Sequence, residues 1–220
     1  MADLNKVSSA PLRILIVDDH TIVRDGLRQI LGGSFAGAFF ADARNGQEAL
    51  AQISKSKCDV VLLDITMPGQ SGLDILKQIK LLHPEIKILV LTMHPEDQYA
   101  MRVLKAGASG YLTKETASDE VVNALKKVLA GGTYVSAAFS QHLLGELANP
   151  APKAGHETLS DREYQVLRMT ASGKTVKEIG SDLGLSIKTV STYRTRVLKK
   201  LNLKTNADVI RYALREKLVE

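Results

Sequence analysis

The chain has 220 residues, 45% of them apolar and 24% charged, which is the balance of a soluble globular protein long enough for two domains. Residues 1–13 lack the apolar core of a signal peptide. Apolar runs such as 14–17 and 60–63 are strand-sized, far short of the roughly 20 residues that a membrane helix needs. A single cysteine, Cys58, excludes an internal disulfide and a multi-cysteine metal site. We therefore expect a cytoplasmic protein without membrane contacts.

Charge is distributed unevenly along the chain. Residues 1–130 carry 15 Lys/Arg and 15 Asp/Glu, whereas residues 158–220 carry 13 Lys/Arg and 7 Asp/Glu. A basic C-terminal third favours a nucleic-acid partner, although a basic surface that only contacts solvent would have the same charge. The choice between them depends on the pattern of residues.

The first 130 residues alternate between the patterns of strands and helices. Apolar runs predict strands at 12–17, 38–43, 59–63, 87–92 and 110–113. A first amphipathic helix contains Val23 to Leu31 and is expected to end at Gly32 and Gly33. Further helices are predicted at 46–56, 72–82, 96–106 and 118–130. Five such β/α units predict a parallel sheet with helices on both faces, within a domain of residues 12–130.

The alternation stops after Gly131 and Gly132. Residues 131–157 are predicted to be a linker with at most one short helix, at 136–147, followed by the Pro- and Gly-rich stretch 149–155. No strand pattern follows in residues 158–220, which predicts an all-α domain. Its four helices are expected at 160–171, 176–183, 187–201 and 206–218.

Polar side chains stand where the predicted strands end, and ligands of open parallel sheets bind at that edge. These residues are Asp18, Asp19, Asp64, Thr92 and Lys114. Three crowded carboxylates repel one another and favour a hard cation such as Mg²⁺. An acyl phosphate on a carboxylate would need the neutralising charge of a cation and a lysine, and a hydroxyl donor. Any one of these residues could be a helix cap or a solvated side chain, but five on one edge favour a functional pocket.

Four motifs now identify the first domain: VDDH at 17–20, DITMPGQSGLDIL at 64–76, LTMH at 91–94 and GYLTK at 110–114. Residues 12–130 resemble the receiver domain of two-component response regulators. The resemblance implies a flavodoxin-like, doubly wound, five-stranded sheet. It also implies that Asp64 accepts a phosphoryl group from a sensor histidine kinase. Mg²⁺ would be held by Asp18, Asp19, Asp64 and the backbone carbonyl of Thr66.

The same resemblance implies the residues of a switch. Lys114 would pair with the phosphoryl group, Thr92 would move to hydrogen-bond it, and Tyr111 would then swing inward. Pro68 and Gly69 fit a turn after the acceptor residue. The chain departs from many receivers at Glu115, where they carry a proline in a cis peptide, so the sequence does not decide between a cis and a trans peptide after Lys114.

The C-terminal domain has the pattern of a helix-turn-helix. Ser160 and Glu163 form a capping-box pattern, and Gly184 lies in the turn between the second and third helices. At 100° per residue, Val190 and Val197 share the inner face of the third helix. Its opposite face collects Lys188, Thr192, Thr195, Arg196 and Lys199. Lysine and arginine can reach base edges or phosphates in a major groove, although an exposed basic face needs no such partner.

Residues 158–220 resemble the LuxR-type helix-turn-helix domain through LSDREYQVLRMTASGKTVKEIGSDLGLSIKTVSTYRTRVLKKLNLKT at 159–205. The resemblance implies four helices, a DNA-binding third helix, and dimerisation through the last helix. The expected DNA-binding residues are Lys188, Thr189, Ser191, Thr192, Arg194, Thr195, Arg196, Lys199 and Lys200.

The last helix carries two apolar stripes. We expect Ile210, Leu214 and Leu218 to form its core stripe. Val209 and Ala213 form a smaller stripe that could meet the same helix of a second copy, or could equally pack within the domain.

The sequence thus predicts a phosphorylation-controlled transcription regulator of the NarL/FixJ type, acting on DNA as a homodimer and not as an enzyme beyond its own phosphoryl chemistry. A phosphatase with Asp64 as nucleophile is a rival hypothesis, but Thr66 stands where such enzymes usually carry a second aspartate. A regulator that binds DNA constitutively is a second rival, and a receiver that acts by protein contacts is a third.

Overall fold

The computed structural model describes residues 11–67, 71–148 and 155–219. Five strands form one parallel sheet in the order β2-β1-β3-β4-β5, the arrangement of a flavodoxin-like fold. The strands are β1 (Arg13–Val17), β2 (Phe39–Ala43), β3 (Val60–Leu63), β4 (Lys87–Thr92) and β5 (Gly110–Thr113). In the sheet, Val17 pairs with Leu63, and Leu63 pairs with Val90. The register therefore brings the carboxyl ends of β1, β3 and β4 together.

Helices cover both faces of the sheet, as the alternation predicts. They are α1 (Thr21–Ser34), α2 (Gly46–Lys55), α3 (Gly72–Leu82), α4 (Glu96–Lys105) and α5 (Ala117–Leu129). One apolar core joins the sheet to α2, α3 and α4, and a second joins it to α1 and α5. Strands β1, β3, β4 and β5 are largely buried because their side chains alternate between these two cores, whereas β2, at one edge of the sheet, is mostly half-buried.

Two features at the ends of this domain differ from the sequence prediction. Helix α1 does not end at Gly32 and Gly33 but continues through them to Ser34. Glycine inside a helix costs only about 1 kcal/mol, which the burial of Leu31 beside this turn can offset. Past α5, Tyr134 bridges to Gly110 beside the edge strand β5, so the chain after Gly132 still contributes to the sheet.

The C-terminal domain is all-α. After α6 (Ala137–Ala148) and a short 3-10 helix (Gly155–Thr158) come α7 (Asp161–Ala171), α8 (Val176–Leu183), α9 (Ile187–Lys200) and α10 (Asn206–Arg215). Ser160 and Glu163 form the predicted capping box, and Gly184 ends α8 with a φ of 62°. A left-handed residue is favourable there only for glycine, which explains the tight turn between α8 and α9.

Helix α10 is shorter than the predicted 206–218. Its last turn ends at Arg215, and the chain then reverses through Lys217, whose φ is 54°. Leu218 folds back, with its N–H donating to the Ala213 carbonyl at 2.8 Å. Within the part of the chain that the structure describes, no helix is both long and apolar enough to cross a membrane. The turn predicted at Pro68 and Gly69, and most of the linker stretch 149–155, lie outside the described residues.

Candidate functional site

The polar residues predicted at the strand ends lie in one pocket. Backbone bonds fix where the chain leaves each strand: Asp64 N–H donates to the Val17 carbonyl at 2.9 Å, and Lys114 N–H to the Thr92 carbonyl at 2.8 Å. The Lys114 ammonium contacts Asp64 Oδ2 and Asp18 Oδ2, each at 2.6 Å. The predicted convergence is therefore present, and the contact between Lys114 and Asp18 adds to it.

A glycine lets a helix approach the central carboxylate. Gly72, the first residue of α3, lies so close to the Asp64 backbone that a Cβ there would stand 2.4 Å from the Asp64 carbonyl oxygen. Any larger residue would push α3 away from the strand end. The Asp64 side chain is held in turn by the Thr66 N–H, which donates to Oδ1 at 2.8 Å.

Burial and charge act in opposite directions on Asp64 and Lys114. Burial raises the pKa of the Asp64 carboxyl above its usual value, and the neighbouring Lys114 ammonium opposes that rise without cancelling it. Burial also disfavours the charged form of Lys114, but its contacts with Asp64 and Asp18 outweigh burial and raise the pKa of its ammonium. Lys114 therefore supplies a permanent positive charge to the pocket.

The pocket suits a hard cation. Oxygen atoms of Asp18, Asp19 and Asp64, together with a ring nitrogen of His20, lie within 4.8 Å of one another. Asp19 Oδ1 is buried and accepts no well-formed hydrogen bond, although His20 Nδ1 is 3.0 Å away. A buried carboxylate oxygen with a free lone pair among other carboxylates is what a Mg²⁺ ligand requires.

The predicted switch residues lie beside this pocket. Thr92 Oγ1 accepts the His94 N–H at 3.4 Å and lies 3.3 Å from Thr66 Oγ1. The Tyr111 ring is already buried, with its hydroxyl donating to the His94 carbonyl at 2.9 Å. The peptide after Lys114 is trans.

Helix α9 presents a basic outer face. Val190 and Val197 are buried, as the helical periodicity predicts. The exposed predicted residues are Lys188, Ser191, Thr192, Thr195, Arg196, Lys199 and Lys200, whereas Thr189 and Arg194 are half-buried. Two of the nine contact polar side chains of other helices: Arg194 Nε donates to Asn206 Oδ1 at 2.8 Å, and Lys200 Nζ donates to Glu163 Oε2 at 2.6 Å.

Comparison with known proteins agrees with both halves of this geometry. Residues 14–126 match the model of the response regulator receiver domain, and residues 157–213 match that of the luxR family of bacterial regulatory proteins. Response regulator GacA of Pseudomonas protegens is 36% identical over 95% of this chain and 98% of its own length. The chain is a response regulator of the NarL/FixJ type.

Other relatives match the response regulator over more than nine tenths of its length. Oxygen regulatory protein NreC of Staphylococcus carnosus is 34% identical over 95% of this chain and all of its own length. RcsB of Salmonella enterica serovar Typhimurium, bound to the promoter rprA with the phosphomimetic BeF₃⁻, is 27% identical over 91% of this chain and 98% of its own, with a TM-score of 0.60.

The dimerisation residues predicted for the response regulator are wrong. Val209 and Ala213 are 1% and 0% exposed and pack in the core beneath α7, so neither can meet a second copy. The stripe predicted to be core is partly outside: Ile210 is 37% exposed and Leu214 is 50% exposed, and only Leu218 is buried. Both stripes are apolar, and the packing of α10 against α7 selects the smaller residues for the closer contact.

Two residues of the pocket were not among the predicted ones. His20 follows the two aspartates directly, and its Nδ1 lies 3.1 Å from Asp18 Oδ1. Arg24 is buried and donates to the Asp18 carbonyl at 2.8 Å. The sequence could have predicted the burial of Arg24. It stands three residues before Leu27 and seven before Leu31, on the stripe of α1 that faces the sheet.

The regulator's two domains are docked through an apolar cluster that they share and through polar contacts of α3 and α4 with residues 156–161. Arg102 of α4 donates to the Leu159 carbonyl at 2.9 Å and to the His156 carbonyl at 2.5 Å. Asp161, the first residue of α7, accepts Lys77 Nζ of α3 at 2.7 Å. The sequence predicted two domains joined by a linker, and it contained no sign of this contact.

An aromatic stack continues the docked interface toward the acidic pocket. The His94 ring stacks on Tyr99 with centroids 4.3 Å apart, and Tyr99 meets Tyr164 of α7 edge-on at 5.3 Å. A cavity of about 400 Å³ beside them is lined by Thr66 from the acceptor loop and by Arg168 from α7. Thr66, two residues after Asp64, and Arg168 of the C-terminal domain therefore line the same cavity.

Acid is expected to weaken this docked arrangement through His94. Burial, and then the nearby Arg168 cation, lower the pKa of His94 from 6.5 to about 4. The neutral ring thus stabilises the docked state above pH 6.5, and that contribution is lost as the pH falls from 6.5 through 4. Proton NMR of the histidine ring should give a midpoint near 4 for the resonance that His94→Gln removes. A midpoint near 6.5 would show that the ring is not buried.

Proposed function

We propose that this response regulator accepts a phosphoryl group on Asp64 from a sensor histidine kinase and binds DNA through α9 in response. The observation that carries the proposal is the buried Asp64 carboxylate, 2.6 Å from the Lys114 ammonium and within one cluster of three carboxylates. A carboxylate in this position can act as a nucleophile, and the Lys114 ammonium can neutralise negative charge on the phosphoryl group that it accepts.

The chemistry follows from these neighbours. One Asp64 oxygen attacks the phosphorus of a phosphohistidine, the phosphorus–nitrogen bond breaks, and the imidazole nitrogen leaves with the electron pair. Lys114 keeps its positive charge beside the acceptor and can pair with an oxygen of the transferred group. The Thr66 N–H holds the other carboxylate oxygen in place. Beyond this transfer and the later hydrolysis of its own acyl phosphate, we assign the protein no enzymatic activity.

Asp18, Asp19 and Asp64 would hold Mg²⁺, with the carbonyl of Thr66 as the remaining protein ligand. When bound, the ion supplies positive charge that offsets repulsion between the carboxylates and the incoming phosphoryl oxygens. Asp18 is well placed for this role because its carboxylate is fixed by Lys114 and by the His20 N–H, which donates to Oδ1 at 2.8 Å.

The switch would run from Thr92 to the domain interface. If the Thr92 hydroxyl turns toward a phosphoryl group on Asp64, it gives up the bond that it accepts from the His94 N–H. His94 then loses one restraint on the ring that stacks on Tyr99, and Tyr99 is the residue that packs against Tyr164 of α7. Phosphorylation would thereby loosen the docking of the C-terminal domain.

DNA would be bound by the exposed face of α9, chiefly by Lys188, Arg196 and Lys199. RcsB, a structural relative, has been solved as two dimers bound to two parallel DNAs. For this chain we propose a homodimer whose DNA-binding domains meet through Ile210 and Leu214 of α10. Two linked half-sites gain affinity through effective concentration. A regulator of this kind works in the cytoplasm, where its DNA is.

We assign the two activities to separate parts of the chain, the phosphoryl chemistry to residues 12–130 and the DNA contacts to residues 158–220. Residues 131–157 join them and carry neither activity. The proposed ligands, switch residues and DNA contacts all fall within the first and third of these segments.

The test is DNA binding by the full-length protein with and without a small phosphodonor such as acetyl phosphate, beside Asp64→Ala. The duplex is selected from a random pool by the phosphodonor-treated protein, and peptide mass mapping locates the modification. We expect one phosphoryl group, on Asp64, and tighter binding only in the treated wild type. Equal affinity in all three states would overturn phosphorylation control, and modification elsewhere would overturn the role of Asp64.

A further inference from the structure

Arg24 is a buried cation on the sheet-facing side of α1. Arg24 is only 4% exposed and lies among the apolar side chains that cover β1. Removing a guanidinium from water is strongly unfavourable unless its N–H groups find partners in the protein. The partners of Arg24 therefore indicate what it does there.

The guanidinium joins three segments of the chain. One Nη donates to the Asp18 carbonyl at 2.8 Å, in the loop that follows β1. The other donates to Thr21 Oγ1 at 3.1 Å, in the first turn of α1. Nε lies 4.0 Å from Asp42 Oδ2 on β2, and it is buried without a hydrogen bond of its own. The planar fork of an arginine can hold two such acceptors at fixed angles, which a lysine cannot.

The fixed carbonyl belongs to a carboxylate of the acidic pocket. Asp18 N–H is bonded to the Ala43 carbonyl at 3.1 Å, so Arg24 completes the restraint of the Asp18 backbone from its other side. With both peptide groups of Asp18 held, the directions of the Asp18 and Asp19 side chains are set before any ligand arrives. Preorganised ligands bind a metal ion more tightly because less ordering is needed on binding.

We infer that Arg24 is a positioning residue for the divalent cation, acting through the Asp18 backbone rather than by touching the ion. This inference rests on the proposed function, since it concerns the cation that phosphoryl transfer to Asp64 requires. It assigns Arg24 a role distinct from that of Lys114, whose ammonium contacts the carboxylates directly.

Arg28 provides a control one helical turn further along α1. Its Nη2 lies 2.6 Å from Asp42 Oδ2, so it shares the β2 partner of Arg24, and its side chain is 46% exposed. The structure shows no contact between Arg28 and the loop of residues 18–20 among the residues that it describes. Arg28→Met therefore removes a cation from the same helix and the same aspartate while leaving the loop restraint intact.

The experiment measures Mg²⁺ binding to the full-length protein by isothermal titration calorimetry, a readout that needs no phosphoryl transfer. Arg24→Met keeps the apolar stem and removes the fork, and loss of such a supporting contact should weaken Mg²⁺ binding roughly 10- to 100-fold. Arg24→Lys should fall between this variant and the wild type, and Arg28→Met should match the wild type. At saturating Mg²⁺, the phosphorylation rate of Arg24→Met with acetyl phosphate should recover.

Two results would overturn the inference: Mg²⁺ affinity unchanged in Arg24→Met, or an equal loss in Arg28→Met. Circular dichroism checks folding first, and if Arg24→Met does not fold, unchanged affinity in Arg24→Lys serves as the overturning result. A wild type that binds Mg²⁺ but never becomes phosphorylated would contradict the proposed function instead, and the calorimetric comparison would still decide the role of Arg24.

Discussion

Replacing Arg102 with methionine is expected to undock the C-terminal domain without phosphorylation. Arg102 reaches two backbone carbonyls across the interface, and its guanidinium lies 4.1 Å from the centroid of the Tyr164 ring. Hydrogen bonds from a charged donor stabilise a folded contact by about 2 kcal/mol. Losing that much would lower the ratio of docked to undocked protein roughly 30-fold. Hydrogen exchange of residues 156–165 should accelerate, and small-angle scattering should show a larger radius of gyration.

Lys105→Met is the control for this change. Lys105 also lies on α4 and faces Glu157, but at 3.9 Å and with both side chains exposed, so this ion pair contributes little. We expect exchange in Lys105→Met to match the wild type. If exchange is the same in Arg102→Met and Lys105→Met, Arg102 does not hold the two domains together. Docking would then not depend on this contact of α4.

Undocking should also change function. The outer face of α9 is exposed in the docked arrangement, so docking does not block a single DNA-binding domain. It fixes where that domain stands, which limits how two copies can reach adjacent half-sites. Unphosphorylated Arg102→Met should therefore bind the selected duplex nearly as tightly as the phosphorylated wild type. If Arg102→Met instead binds the duplex only as tightly as the unphosphorylated wild type, undocking alone does not activate DNA binding.

Arg196→Met is expected to weaken DNA binding by about 1–3 kcal/mol, roughly 5- to 150-fold, while leaving phosphorylation unchanged. Arg196 lies on the exposed face of α9, away from the buried Val190 and Val197. A contact with a base edge would relax specificity at one position, whereas a contact with a phosphate would weaken all sequences and lower the salt slope by about one. Fluorescence anisotropy across a salt series distinguishes the two.

Lys217→Met removes the same charge outside α9. Lys217 lies in the turn after α10 and is exposed. We expect its affinity and salt slope to match those of the wild type. An equal loss in both variants would mean that net charge, rather than the face of α9, accounts for binding. Unchanged binding by Arg196→Met would mean that another surface contacts DNA.

Local patterns were sufficient for most of the fold. Strands such as β3 are short runs of apolar residues that end at an aspartate. A run of this kind predicts a strand buried on both faces of a parallel sheet. The capping box at Ser160 and the glycine at 184 marked helix ends through hydrogen bonds and backbone angles that act within a few residues. The acidic pocket was predictable for a related reason: parallel strands end on one side, so residues just after them must meet.

Prediction failed where two local solutions were nearly equal. Val209 and Ile210 are adjacent apolar residues, and helical periodicity cannot tell which of two apolar stripes of α10 packs on α7. Glycine at 32 and 33 often ends a helix, but burial of Leu31 favoured another turn. The sequence also did not show that the Lys200 ammonium contacts Glu163, which is 37 residues away in sequence.

By itself, the sequence determined the order of elements, the convergence of Asp18, Asp64 and Lys114, and the basic outer face of α9. Each of these depends on periodicity and on residues near one another along the chain. Only the tertiary structure decided that Arg24 holds the Asp18 backbone and that Arg102 docks the two domains. Those contacts join segments that are distant in sequence. Many weak packing interactions together set the relative position of such segments, and no short stretch of sequence predicts the result.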